Sequence, residues 1–223
     1  AGELRFKLFD LYAVVSPIRE DNRFMASMAR DPPYARPVWM RNWFAPLPPT
    51  QLRQLKSGLR RGSQTILDEP NAGGSSVNSE AFSFEMLSAC FRAELLLRET
   101  EVRYSGSCSS IVDFVVSVDT LRIGVSVTRA MFQWSQNEFV FTPMHASLLL
   151  AKKLAGLCQA TASVRSVHRW DRQLLHIWAE SSDIADVLEE TLATLPRALW
   201  ERTLVICTVC QNMEHIIFRN AAD

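Results

Sequence analysis

The chain has 223 residues, a formal net charge of zero at neutral pH, and an ordinary balance of apolar (48%) and charged (22%) residues. This composition excludes collagen-like and low-complexity chains and predicts one large globular domain, alone or with an extension. No apolar run approaches the roughly 18 residues of a membrane span, and the first residues lack the form of a signal peptide, so we expect no membrane partner. Five irregularly spaced cysteines favour reduced thiols and an intracellular location, in the cytoplasm or nucleus.

Regular elements are sparse before residue 79. Residues 3–15 alternate like a strand, the proline-rich stretch 31–49 excludes a long regular element, and residues 50–62 predict a short helix capped by Thr50. We therefore expect three parts, which are an N-terminal strand and basic arm packed on the core (1–66), a flexible loop (67–79) and a core domain (80–223).

The basic arm also differs from the rest of the chain in charge. Residues 30–62 have a balance of +6, whereas residues 63–223 have a balance of −6. Arginines beside aromatic rings suit a nucleic-acid surface, so residues 30–62 are a candidate nucleic-acid interface, with Arg60 and Arg61 as binding residues. The alternative is an arm that packs on the acidic body and neutralises it. The prolines and tryptophans could also bind a protein partner.

From residue 79 the chain becomes regular. Apolar residues at helical spacing predict helices, and β-branched runs predict strands. The predicted order is a helix (79–99), three strands (101–105, 111–118, 120–128), a helix (143–162), a strand (172–180), a helix (182–196), a strand (202–210) and an optional edge strand (215–218). Strands that are apolar on both faces, separated by amphipathic helices, predict an α/β fold whose mixed central sheet is flanked by helices.

The order helix, three-stranded meander, helix, strand resembles the core of the restriction-endonuclease-like superfamily, the PD-(D/E)xK nucleases. Asp113 in IVDFVVSV matches the Asp of that family, and IGVSVTRA (123–130) is similar to its third strand in length and hydrophobicity. The resemblance covers residues 79–209 and implies an αβββαβ core. In that family the Asp and a Glu/Asp-x-Lys motif bind a divalent metal, usually Mg²⁺, for phosphodiester hydrolysis. A fainter likeness to kinetoplastid proteins with a VSVTRAM-like strand implies a divergent branch of the fold.

The chain departs from the motif of the family on the third strand. Ser126 stands where the resemblance implies an acid, and Thr128 stands where it implies the lysine. Both are neutral at pH 7, so a site left with Asp113 alone would not hold Mg²⁺ tightly. The resemblance therefore implies a catalytically degraded nuclease-fold module that needs no cofactor. It would bind nucleic acid or a protein partner, and Ser126, Thr128 and Arg129 would belong to the binding site.

An active, Mg²⁺-dependent nuclease is the alternative, because members of the superfamily can move these groups to neighbouring helices. Lys153, or its neighbour Lys152, lies on the predicted helix after the third strand and could replace the missing lysine. On the predicted first helix, Glu80, Glu85 or Glu94 could replace the acid. Asp113, Glu85 and Lys153 would then be catalytic, and Asp113 and Glu80 would bind the metal.

Each of these residues also has a structural interpretation. Asp113 could be a buried, hydrogen-bonded carboxylate with Arg129 as its charge partner. Glu85 could pair with a nearby basic residue such as Arg92, and the two lysines could form a solvated helix face.

Other motifs indicate packing rather than chemistry. His176 shares a strand face with Trp178, where we expect a packed, hydrogen-bonded histidine. Cys207 and Cys210 form a CxxC within a β-branched run, so their side chains should point to opposite faces as buried thiols and not as a zinc pair. The four histidines lack metal-binding spacing, and no phosphate-binding loop is present.

Overall fold

The fold is an α/β structure built on a six-stranded mixed sheet with an apolar cluster on each face. The computed structural model describes residues 4–8, 11–15, 24, 26–44, 58–68, 76–106, 109–135, 138–210 and 214–218. The strands are β1 (Leu4–Leu8), β2 (Leu11–Val15), β3 (Val38–Phe44), β4 (Glu94–Arg98), β5 (Phe114–Val118), β6 (Leu121–Ala130), β7 (Gln133–Ser135), β8 (Glu138–Val140), β9 (Arg172–Ala179) and β10 (Thr203–Cys210). The helices are α1 (Arg61–Asp68), α2 (Val77–Phe91), α3 (Pro143–Ser163), α4 (Ser182–Thr194), α5 (Arg197–Trp200) and α6 (Glu214–Ile217), with a 3₁₀ turn at Ser166–His168.

The main sheet has the strand order β3-β10-β9-β6-β5-β4. Strands β4, β5 and β6 form an antiparallel meander, and β6, β9, β10 and β3 run parallel to one another. The two-residue turn between β5 and β6 places Asp119 at φ 51°, the left-handed conformation that tight hairpins need. The predicted fold class is therefore confirmed: α2, the meander, α3 and β9 follow one another in the expected order.

Helices cover both faces of this sheet. On one face α2 is buried on nearly all sides, because α1, α6 and the side chains of Phe24, Met28 and Tyr34 contribute to the same apolar cluster. On the other face α3 presents a stripe formed by Ala146, Leu150, Leu154, Leu157 and Ala160. In the described part of the chain, no helix has the length and apolar character that crossing a membrane requires.

Three predicted elements of the core differ from the structure. Residues 94–98 form strand β4 and not the end of a helix, because α2 ends at Phe91 and Arg92 adopts a left-handed conformation with φ 56°. The predicted strand 101–105 contributes only an isolated bridge between Tyr104 and Val164. Residues 214–217 form the helical turn α6 in place of an edge strand.

The N-terminal region also differs from its prediction. The strand expected over 3–15 is an antiparallel hairpin of β1 and β2. Within the proline-rich stretch, β3 pairs with β10, so residues 38–44 belong to the main sheet. This strand is possible because VWMRNWF contains no proline. The predicted helix cap Thr50 and most of the predicted loop lie outside the described residues.

Candidate functional site

The meander brings Asp113 and Ser126 together. Arg98 pairs with Phe114 and Phe114 pairs with Val125. Continuing this register brings Glu99, just after β4, and Asp113, just before β5, in line with Ser126 on β6. The Asp113 carboxylate accepts hydrogen bonds from the Val127 N–H, at 2.6 Å, and from the Ser126 side chain. Thr128 is buried and follows Ser126 by two positions. Strand alternation therefore places both hydroxyls on the face of the sheet that carries the Asp113 side chain.

Lys153 reaches this site from α3, the helix packed on the same face. Its Nζ donates to the carbonyl oxygen of Val127 at 2.8 Å. Burial raises the pKa of Asp113, and the positive charge of Lys153 is the largest of the influences that oppose this rise. The backbone of one residue therefore serves both groups, because Val127 binds Asp113 through its N–H and Lys153 through its C=O. The neighbouring Lys152 is exposed.

Glu80 joins the site from the first turn of α2. It is buried, and its carboxyl accepts a hydrogen bond from the Ser76 hydroxyl at 2.6 Å. Burial and the nearby Asp113 raise the pKa of Glu80 to about 7. Glu99 also raises the pKa of Glu80, so three carboxyl groups lie close enough to influence one another. We call Glu80, Glu99, Asp113 and Lys153, with the backbone N–H and C=O of Val127, the Asp113 cluster.

Arg129 contacts the end of the described chain and lies close to Glu80. Its guanidinium donates to the carbonyl oxygens of Ile217 and Phe218, at 3.2 and 3.3 Å, beside α6. Burial lowers the pKa of Arg129, and the charge of Glu80 opposes this change. Arg129 therefore lies next to Glu80 and helps to hold the end of the described chain against the sheet.

Glu85 lies in a separate buried network. Its carboxylate accepts hydrogen bonds from the Arg60 N–H at 2.9 Å, from the Arg60 guanidinium, and from the Ser63 hydroxyl at 2.6 Å. The structure does not bring Glu85 to Asp113, and its ion-pair partner is Arg60 and not Arg92. Arg61 is exposed at the start of α1. Glu94 is the exposed first residue of β4.

Part of the charge of the basic arm is paired with the body of the protein. Arg41 on β3 bonds Asp186 at 2.6 Å and Glu189 at 2.9 Å, both on α4. Together with the Arg60–Glu85 pair, this supports the interpretation of an arm that packs on the acidic body. Arg53 and Lys56 lie outside the described residues.

The residues of the Asp113 cluster do not fit a bound Mg²⁺. Mg²⁺ requires near-octahedral oxygen coordination, usually with carboxylates as protein ligands. Within the part of the chain that the structure describes, no three His, Cys, Asp or Glu side chains form a group that could hold a metal ion. The Asp113 carboxylate already accepts two hydrogen bonds, and the Val127 carbonyl beside it already accepts the Lys153 ammonium. The ammonium thus occupies an oxygen that could otherwise coordinate a cation.

Three members of this site were absent from the predictions. Glu99 and Ser76 belong to no motif, and Val127 is the unspecified middle position of the Glu/Asp-x-Lys motif, whose side chain carries no chemistry. Reading 94–98 as a strand would have placed Glu99 beside Asp113. The role of the Val127 backbone N–H and C=O could be predicted only from the register of β5 and β6.

The other sequence motifs form part of the packed interior. His176 Nε2 lies 2.8 Å from the Thr208 hydroxyl, its ring packs on Trp178, and burial lowers its pKa to about 3. The expected packed histidine is confirmed. Cys207 and Cys210 are buried residues of the apolar clusters on opposite faces of the sheet, as predicted.

Comparison with known proteins gives one similar sequence and one similar structure. No family model matches the chain. The AAC-rich mRNA clone AAC4 protein of Dictyostelium discoideum is 42% identical over 162 residues, which are 71% of this chain and 24% of that protein. The chain therefore spans about a quarter of the length of this relative. Pyrococcus furiosus SfsA, solved in complex with Ca²⁺, is similar at a TM-score of 0.33 and 12% identity, over 64% of this chain and 69% of that one.

Replacing Glu80 with Gln is expected to stabilise the protein at high pH. In the folded state the pKa of Glu80 is about 7, above its ordinary value of 4.5, so the folded protein binds this proton more tightly than the unfolded chain does. Wild-type stability should therefore fall as pH rises from 4.5 through 7. Gln cannot ionise and can still accept the Ser76 hydrogen bond, so the gain should be about 1–3 kcal/mol at pH 8.

Thermal denaturation at pH 5 and pH 8 measures this difference. The melting temperature of Glu80→Gln should exceed that of the wild type at pH 8 and match it at pH 5. The exposed Glu94→Gln serves as the control and should change neither value. An equal shift at both pH values would mean that ionisation of Glu80 is not the cause.

Proposed function

We propose that this chain is a nuclease-type α/β domain that has lost metal-dependent cleavage and binds nucleic acid without cutting it. The order α2, meander, α3 and β9 supports the nuclease-type core. In this proposal Asp113 takes the position of the acid of that family. Ser126 and Thr128 replace the charged pair of the motif.

The observation that carries this proposal is the position of the Lys153 ammonium. It is bonded to the Val127 carbonyl at 2.8 Å, and its charge opposes the rise that burial causes in the pKa of the neighbouring Asp113. A fixed ammonium supplies part of the positive charge that a metal would supply, but it cannot generate a metal-bound hydroxide. The charge of Lys153 therefore stabilises the folded cluster without a metal. The ammonium cannot replace a metal ion in hydrolysis.

Incubation with single- and double-stranded oligonucleotides in Mg²⁺ or Mn²⁺ tests both parts of the proposal. We expect no cleavage above that of buffer, together with binding that weakens steeply as salt increases, because phosphate contacts release counterions. Cleavage that disappears in Asp113→Ala would overturn the loss of catalysis. Binding that does not depend on salt would overturn nucleic acid as the ligand.

An active, divergent nuclease is the second candidate, favoured by the meeting of Glu80, Asp113 and Lys153 in one cluster. In this case the Lys153 ammonium must leave the Val127 carbonyl when a metal binds. The carboxyl groups of Glu80 and Asp113 must both ionise. The same assay distinguishes the two candidates: an active enzyme would lose cleavage in Asp113→Ala, in Glu80→Gln and in Lys153→Met, but not in Lys152→Met.

A further inference from the structure

A cavity of about 300 Å³, lined by three arginines, opens at the amino ends of β9 and β10. It is separate from the Asp113 cluster, because Ser126 pairs with Leu175, further along β9. Arg169 and Arg202 line this cavity and are exposed. Neither forms an ion pair with a carboxylate in the described part of the chain. Their guanidinium groups are therefore available to a ligand.

The third arginine, Arg172, has a structural role. Its Nε donates to the Met28 carbonyl at 3.1 Å, and its two terminal nitrogens bond the Asp31 carboxylate and the Asp171 carbonyl, each at 2.9 Å. Through these bonds to Met28 and Asp31, Arg172 holds the segment that leads into the arm at the base of the cavity. Asp171 is the acid that lines this cavity, and its carboxylate accepts the backbone N–H of Arg122 at 2.8 Å.

A second cavity, of about 390 Å³, lies on the arm itself. Its described lining includes Arg30, Arg36, Ser27 and Trp39 and contains no acidic residue. The Arg30 guanidinium lies over the Tyr34 ring, 5.4 Å from its centroid. The guanidinium groups of Arg30 and Arg36 therefore give this cavity hydrogen-bond donors and positive charge together.

The arm connects the two cavities. Pro32 lines the first, and the residues on either side of it, Arg30 and Arg36, line the second. The Tyr34 N–H donates to the Glu201 carbonyl at 2.6 Å, directly before Arg202. The bonds from Arg172 to Met28 and Asp31 hold the same segment in place. Four exposed arginines are thus positioned on one fixed part of the fold.

We infer that Arg30, Arg36, Arg169 and Arg202 form a phosphate-binding surface, the amino-end surface, which holds successive phosphates of a nucleic-acid strand. Guanidinium groups match phosphate oxygens in a two-pronged geometry. Arginines without carboxylate partners release counterions when a polyanion binds. The choice of nucleic acid as the polyanion rests on the proposed function, but the surface itself rests on these side chains.

Fluorescence anisotropy with a labelled single-stranded oligonucleotide and its duplex tests this surface. Arg169→Gln/Arg202→Gln and Arg30→Gln/Arg36→Gln should each weaken binding by about tenfold or more and reduce the salt slope by about 2. The control Arg92→Gln/Lys152→Gln removes the same charge from exposed positions elsewhere and should change affinity by less than about twofold. All four arginines are exposed, so the melting temperatures should change little, even where the contact of Arg30 with the Tyr34 ring is lost.

The outcomes separate this inference from the proposed function. If the wild type binds with a steep salt dependence and the arginine variants bind equally well, the amino-end surface is wrong while the proposed function stands. If the control pair weakens binding as much as the arginine pairs do, general charge and not this surface is responsible. If the wild type binds neither oligonucleotide at low salt, both the surface and the nucleic-acid ligand are wrong.

Discussion

Replacing Lys153 with Met is expected to lower the free energy of unfolding by about 2 kcal/mol at pH 8. The substitution removes the charge-assisted hydrogen bond to the Val127 carbonyl and leaves the pKa of Asp113 still higher. A carboxyl group whose folded pKa is raised destabilises the fold as pH increases through that pKa, so the loss should be smaller at pH 5. Chemical denaturation at the two pH values measures this difference.

The neighbouring lysine provides a matched control. Lys152 is exposed on the same helix, so Lys152→Met should change stability by less than about 0.5 kcal/mol. In a double-mutant cycle, Asp113→Asn should recover part of the loss in Lys153→Met, with a coupling free energy of about 1 kcal/mol. Equal effects of the two lysine substitutions, or additive effects of the Lys153 and Asp113 substitutions, would show that the cluster is not electrostatically coupled.

Replacing Glu85 with Ala is expected to be more costly, at about 3 kcal/mol. The side chain is 2% exposed and joins Arg60 and Ser63. Its removal leaves the buried Ser63 hydroxyl and the Arg60 N–H without their acceptor. Urea denaturation measures the loss.

This substitution also separates structural from functional acids. The exposed Glu94→Ala should leave stability unchanged within about 0.5 kcal/mol. At temperatures where Glu85→Ala remains folded, its nucleic-acid affinity should equal that of the wild type, because the Glu85 network is separate from both the Asp113 cluster and the amino-end surface. A stable Glu85→Ala protein that has lost binding or cleavage would instead place Glu85 in the functional site.

The fold was predictable where hydrophobic periodicity matched the local structure. Strands β5 and β6 have apolar alternation around a tight turn, and α3 has a clear apolar stripe. Strand β4 was missed because ELLLR contains strong helix formers and directly follows α2. Its conformation is decided by pairing with β5, and a long-range interaction of this kind cannot be read from a local pattern.

The site was predictable only where a local sequence pattern marked a residue. An Asp inside an apolar strand marked Asp113, and the order of elements placed Lys153 on the next helix. The sequence alone could not show whether Glu80 or Glu85 lies near Asp113. Because α2 is buried on nearly all sides, its apolar periodicity does not show which acid faces the sheet. Likewise, the arginines of the amino-end surface come from three separate segments and share no motif.

Calorimetric titration of the wild type with Mn²⁺, compared with Asp113→Asn, measures most directly whether an ammonium has replaced a metal in the Asp113 cluster. Since the Lys153 ammonium occupies the Val127 carbonyl, the wild type should show no Mn²⁺ binding beyond that of Asp113→Asn, even at millimolar metal. Saturable binding that disappears in Asp113→Asn would contradict this account and identify the cluster as a metal site.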